Sequence, residues 1–194
     1  HMKTAILLEE KKYPEAILCA KEAAERFPDD ADLMYDYANA TALSGAYEQA
    51  LQIVSNAKQM KYFEDAKARF CFLESEICAE LGNMDRAIEK CDECISLETE
   101  QDFISDARFM RINLALAKND FESALQHAEQ FIEKGARDSY YYAALYFRPF
   151  CLSKLGKEEA AEKYYKEAIS LYRMATLQNL EVFDAYLYLS LIHI

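Results

Sequence analysis

The sequence predicts an all-α fold in which antiparallel helix pairs stack side by side. Three observations predict it. With Gly45, Gly82, Asn119 and Gly156 aligned at a spacing of 37 residues, Ala50, Ala87, Ala124 and Ala161 align without a gap. A recurring turn residue followed by a small residue five positions on marks a stacked repeat rather than one enzyme-like core. Between the turns, apolar residues recur at helical spacing; no segment alternates strictly, and valine occurs only at Val54 and Val182. Only 4 of the 194 residues are glycine and 3 proline, and three of those glycines stand in the turn column, so nearly everything else is free to be helix.

The elements follow in order. Pro14 suits the first turn of a helix, where its missing N–H costs little. Asp30 can cap the helix entered through Phe27-Pro28-Asp29. The next first helix is expected from about Glu64 to Leu81, with Phe70, Leu73, Ile77 and Leu81 on one stripe and Cys71, Ser75 and Cys78 on an adjacent one. Two neighbouring stripes suit a helix packed on two sides. Gly82-Asn83 ends it through a left-handed turn, and the following helix starts near Met84 and turns Ala87, Ile88, Cys91, Cys94 and Ile95 inward. Asp85 in its first turn suits the positive end of the dipole. Asp102 or Ser105 can cap one later helix, and Asp138 or Ser139 another. Pro149 falls inside a first helix, where it removes a hydrogen bond and clashes with the carbonyl of Leu145. The expected units are a partial repeat over 1–30, repeats over 31–67, 68–104, 105–141 and 142–175, and the first helix of a truncated repeat over 180–194.

Composition narrows the function. The formal charge of −12 repels phosphate backbones, so nucleic acid is not an expected partner. No apolar run approaches a membrane span. Six cysteines without loop-rich disulfide spacing fit a reducing, intracellular (cytoplasmic) setting. His1-Met2 reads as vector-derived and Leu191-Ile192-His193-Ile194 as the interior of a helix, so the chain is expected to be part of a longer protein.

No catalytic constellation is present: there is no glycine-rich phosphate loop, no G-x-S-x-G and no H-E-x-x-H. His127 is expected to be a partly exposed surface residue. Cys71, Cys78, Cys91 and Cys94 invite a zinc assignment, but they fall where the repeat wants small buried residues, matched elsewhere by Val54, Ala57, Ala128 and Ala168. Core packing is the expected role. No cofactor or metal is implied, and the oligomeric state is not legible.

The pattern resembles the tetratricopeptide repeat family over nearly the whole chain. The family's small first-helix residue is matched by Ala38 and Ser75, its second-helix alanine by Ala50, Ala87, Ala124 and Ala161. The turn glycine is matched by Gly45, Gly82 and Gly156, an aromatic two residues on by Tyr47 and Phe121, and the inter-repeat proline by Pro28. Two departures stand out. The usual aromatic near the start of the first helix is Met34, Cys71, Arg108 and Leu145, and the period is 37 against the usual 34. The resemblance implies an α-solenoid, a right-handed superhelix that serves as a protein-interaction scaffold.

Once the packing stripes are assigned, one first-helix column remains: Tyr35, Phe72, Phe109 and Tyr146. Four residues on stand Asn39, Glu76, Asn113 and Phe150. The resemblance implies that both columns face a concave groove; the alternative is that the aromatics replace the missing core aromatic through a small helix rotation. With Asp32, Asp36, Glu76 and Asp106 flanking and Arg69 the main basic exception, the expected partner is a peptide or helical segment with apolar anchors and basic charge. Some family members clamp acidic chaperone tails with Lys, Asn and Arg; aromatics hold the clamp lysine's place here, so that activity is disfavoured. The alternative is a sensory or regulatory region of a larger signalling or transcription protein.

Overall fold

The computed structural model describes residues 1–97, 103–134 and 139–177. Among them are ten helices and no strand: α1 (Met2–Glu9), α2 (Tyr13–Arg26), α3 (Ala31–Leu43), α4 (Tyr47–Ala57), α5 (Phe63–Glu80), α6 (Met84–Ser96), α7 (Phe103–Ala117), α8 (Phe121–Lys134), α9 (Ser139–Lys154) and α10 (Glu158–Leu177). The chain divides into two compact units, His1–Phe103 and Ile104–Ile194. The helix expected over 180–194 and the caps expected at Asp102 and Asp138 lie outside the described residues.

Each turn has the same chemistry. Gly45, Gly82 and Gly156 have φ of 85°, 74° and 73°, and Asn119 has φ of 55°. The amide of Gly45 donates to the carbonyl of Ala42 and that of Ala46 to Thr41, the paired closure of a Schellman motif; Gly82/Asn83, Asn119/Asp120 and Gly156/Lys157 repeat it. Lys11, with φ of 55°, begins the same closure: its amide donates to the carbonyl of Leu8 and that of Lys12 to Leu7. It stands 34 residues ahead of Gly45, so the 37-residue register passes it by, and five residues on comes wholly buried Ala16. The turn between α1 and α2 is therefore one more copy of the motif at the shorter spacing. Nothing lies within 4 Å of where a Cβ on Gly82 would stand, so Gly82→Ala suffers only the backbone penalty. We expect it to cost about 1 kcal/mol in chemical denaturation, and Lys11→Gly to return a comparable amount.

The alanine column sits where paired helices meet. Ala50, Ala87 and Ala124 are wholly buried and Ala161 nearly so. At α5 and α6 the approach is close enough for Ser75 Oγ to donate to the carbonyl of Ala87 at 2.8 Å, while Ala38 fills the place of Ser75 in α3. Phe70, Leu73 and Ile77 join Val54, Ala57 and Phe63 in the core of the first unit. Leu81 leaves the expected stripe: as the C-cap of α5 it has turned outward and is 41% exposed. In the second unit the hydroxyl of buried Tyr172 in α10 donates to the carbonyl of Tyr142 in α9. Pro149 is buried within α9, which runs through it.

Asp30 caps α3 as expected, accepting from the amides of Asp32 and Leu33 at 3.0 and 3.1 Å. Pro14 lies in the first turn of α2 and Asp85 in that of α6. Ser105 lies inside α7 rather than at its cap, and Ser139 is the first residue of α9. The boundaries 68, 105 and 142 counted from the register fall within α5, α7 and α9, because each first helix begins a few residues earlier.

Candidate functional site

In the first unit, α3 packs against α5. Tyr35, Asn39, Arg69 and Phe72 are half-buried there and Glu76 is exposed. The Tyr35 ring meets wholly buried Phe70 edge-on, centroids 5.7 Å apart, so one side of it belongs to the core. Its partner on the other element is Arg69, whose guanidinium carbon lies 5.2 Å from the ring centroid. Arg69 Nη1 also donates to Asp32 Oδ1 at 2.7 Å. Asp32 and Arg69 stand one 37-residue period apart, so equal positions on adjacent first helices carry opposite charges. Asp32 is therefore neutralised, and the acidic field expected from it is reduced. Asp36 lies 2.7 Å from His1 Nδ1. Burial pushes its carboxyl up, more than the nearby amino terminus pulls it down.

Beside these residues a cavity of about 200 Å³ opens between α3, the start of α4 and α5. Ala42, Leu43, Leu73 and Ile77 form its apolar wall, and Asn39, Tyr47, Glu76 and Glu80 its polar rim. The Tyr47 hydroxyl donates to Glu80 Oε2 at 3.4 Å.

In the second unit Asp106, Phe109, Tyr146 and Phe150 are half-buried and Asn113 is exposed. Phe109 lies 4.7 Å from Tyr140 and 6.0 Å from Phe147. Tyr146 stacks on Phe150 at 6.0 Å with 21° between planes and lies 6.5 Å from Tyr165. Burial raises the Tyr165 phenol above its ordinary value. An open cavity of about 740 Å³ borders Tyr146, Tyr165, Glu158, Glu159 and Glu162.

Burial likewise pushes the thiols of Cys71 and Cys94 up to about 12 and that of Cys151 to about 11, so these are unreactive thiols. Cys78 and Cys91 are buried as well. Among the described residues no group of three His, Cys, Asp or Glu side chains is arranged to hold a metal ion. His127 is half-buried on α8.

Two charged residues escape a reading of the sequence. Glu74 is only 2% exposed, and Lys58 Nζ and Arg86 Nη2 reach its two oxygens at 2.8 and 2.5 Å, joining the end of α4 to α5 and α6. Burial pushes this carboxyl up, but the bonds from Lys58 and Arg86 outweigh it and hold it below its ordinary value. Its signal was its place between inward-facing Leu73 and Ser75. Arg148, buried beside Pro149, lies with its guanidinium carbon 3.7 Å from the Tyr164 ring centroid and Nη2 3.4 Å from Glu167.

Paired helices joined by glycine turns and packed on an alanine column define a helical-repeat protein. The tetratricopeptide repeat family profile matches residues 7–69, from the end of α1 into α5. Residues 7–69 are thus of the tetratricopeptide repeat type. Its fold is that of solved repeat proteins across most of its length. The crystal structure of MamA protein matches with a TM-score of 0.70 at 15% identity, over 91% of this chain and 92% of that one. The putative kinesin light chain of Podospora anserina, with nearly identical TPR-like repeats, matches with a TM-score of 0.70 at 12% identity, over 92% and 95%. MamA from Desulfovibrio magneticus RS-1 matches with a TM-score of 0.68 at 12% identity, over 88% and 92%. These likenesses are of fold. No curated protein sequence matches the chain. No helix among the described residues is long and apolar enough to cross a membrane.

Proposed function

We propose that the chain is a non-catalytic protein-interaction module that binds an extended or helical segment carrying apolar anchors and net positive charge. The contact residues are Tyr35, Asn39, Arg69, Phe72 and Glu76 in the first unit, and Asp106, Phe109, Asn113, Tyr146 and Phe150 in the second. The observation that carries this reading is the cavity between α3 and α5, which has Asn39 and Glu76 on its rim. Half-buried aromatics supply contact area, and Asn amides can donate to and accept from a peptide backbone. With Asp32 held by Arg69, the steering charge is assigned to Asp106. Six unbridged cysteines support a reducing, cytoplasmic setting.

Affinity capture with the full-length protein, followed by mapping of the bound segment, supplies the ligand for the test. Phe109→Ala should then weaken binding by about 1–3 kcal/mol, as loss of an anchor does. Its contacts with Tyr140 and Phe147 set a stability loss of about 0.5–1.5 kcal/mol. If the second unit unfolds instead, the aromatic column belongs to the core. An acidic bound segment would overturn the charge assignment.

A further inference from the structure

In the first unit the pair α3–α4 receives the next first helix. α5 packs on both, and its Leu73 and Ile77 enter a core that includes Tyr35, Ala50, Leu51 and Val54. Those four positions recur 111 residues on as Tyr146, Ala161, Glu162 and Tyr165, and all four border the cavity of about 740 Å³ beside α9 and α10. The cavity therefore lies on the face by which a helix pair receives a further helix. Its chemistry differs from that of the first unit. Tyr47, Leu51 and Lys58 give way there to Glu158, Glu162 and Ile169.

We propose that this face docks an amphipathic helix of a partner protein, with apolar residues at i, i+1 and i+4 and a lysine or arginine at i+7. The inference rests on the interaction-module reading and names the partner's secondary structure and charge at this face. The pattern follows from α5 with Leu73 as i. Leu73 and Ile77 are the anchors at i and i+4, the spacing by which a helix lays its apolar side into a groove. At i+1 stands Glu74, which Lys58 reaches at 2.8 Å. With Ile169 in the place of Lys58, a carboxylate there loses that partner, and an apolar residue fits instead. At i+7 stands Glu80, which accepts from the Tyr47 hydroxyl. With Glu158 in the place of Tyr47, a second carboxylate is repelled and a cation fits. Ser153 donates to Glu158 at 3.1 Å, but a hydroxyl leaves the carboxylate its charge. Lys166 pairs with Glu162, so Glu158 and Glu159 supply the net charge of the lining. Residues 180–194 carry Glu181 and Asp184 and no lysine or arginine, so charge complementarity favours a basic partner over the chain's own segment.

The test is NMR titration of the full chain with a synthetic peptide of the α5 sequence, Phe63–Glu80, carrying Glu74→Leu, Cys71→Ala and Cys78→Ala. Two forms are compared, one with Glu80→Lys and one with Glu80 kept. The lysine form should shift the ring signals of Tyr146 and Tyr165 and the methyl of Ala161 saturably, and the glutamate form should bind about tenfold more weakly. Glu158→Gln, at an exposed position, should shrink that preference severalfold while circular dichroism stays unchanged. Added salt should shrink it as well. Absence of a saturable shift, equal binding of the two forms, or a preference indifferent to Glu158→Gln overturns the proposal. So does a nuclear Overhauser contact from Val182 or Leu187 to Tyr165 in a free chain that refuses the peptide, which would give the face to residues 180–194. Shifts at Tyr146 and Tyr165 that follow chain concentration without peptide would give it to a second copy and overturn the proposal equally. These failures are separate from failure of the module reading, which is decided by the captured segment and Phe109→Ala.

Discussion

Replacing both cations around Glu74, as Lys58→Met with Arg86→Met, should destabilise the first unit by about 3–5 kcal/mol in urea titration at neutral pH. The size follows from what is left behind. Glu74 is 2% exposed, and its two oxygens accept from those side chains in the hydrogen bonds that tie α4, α5 and α6 together. Stripped of them, a buried carboxylate loses its compensation while keeping its desolvation cost. Methionine preserves most of each aliphatic stem, so packing loss contributes little. Glu74→Leu within the double variant should recover most of the loss, since apolar replacement of a buried ionic group is often neutral or better.

The pH dependence gives the same network an independent signature. In the native chain the Glu74 carboxyl lies below its ordinary value. Its contribution is complete above the unfolded-state pKa of about 4.3 and is lost as pH falls through the lowered folded value. In the double variant burial is opposed only by the more distant charge of Lys90, so the folded pKa should rise above the unfolded one, and that variant should gain stability as pH falls through the raised value. The two stability curves should therefore converge in acid. A constant gap between them from neutral to acidic pH would show that the loss came from packing rather than charge.

The fold was legible because its determinants are local and periodic. A left-handed turn admits few residues, and close helix approach admits fewer, so Gly45, Gly82, Asn119 and Gly156 with their alanines announce each pair. Lys11 was hidden because it breaks both rules, standing 34 rather than 37 residues ahead and lacking the glycine. The Asp32–Arg69 pair could have been read from the register, since equal positions on successive first helices are neighbours. The Glu74 network could not be read as a whole, because Lys58 comes from the end of α4 and no periodicity links it to Arg86. The aromatic column was ambiguous for a physical reason. Tyr35 has one side against Phe70 and the other toward Arg69, so it serves packing and surface at once.

Ala87→Leu should cost about 1–3 kcal/mol, and its damage should be graded along the chain. Ala87 is wholly buried on α6 where α5 comes closest, and the Ser75 hydroxyl bonds to its carbonyl across that contact. Three added carbons have no space there unless α6 moves away from α5. Moving it breaks the Ser75 bond and disturbs Cys91 and Cys94, which are buried one and two turns further along α6. Hydrogen exchange should then show lost protection strongest in α5 and α6, weaker in α3 and α4, and least in α1 and α2, because repeat pairs share interfaces only with neighbours. Ser75→Ala removes the bond but not the close contact, so it should cost about 1 kcal/mol and leave protection in α6 largely intact. Uniform loss of protection across α1 to α6 in the leucine variant would show that the first unit unfolds as one cooperative core instead of pair by pair.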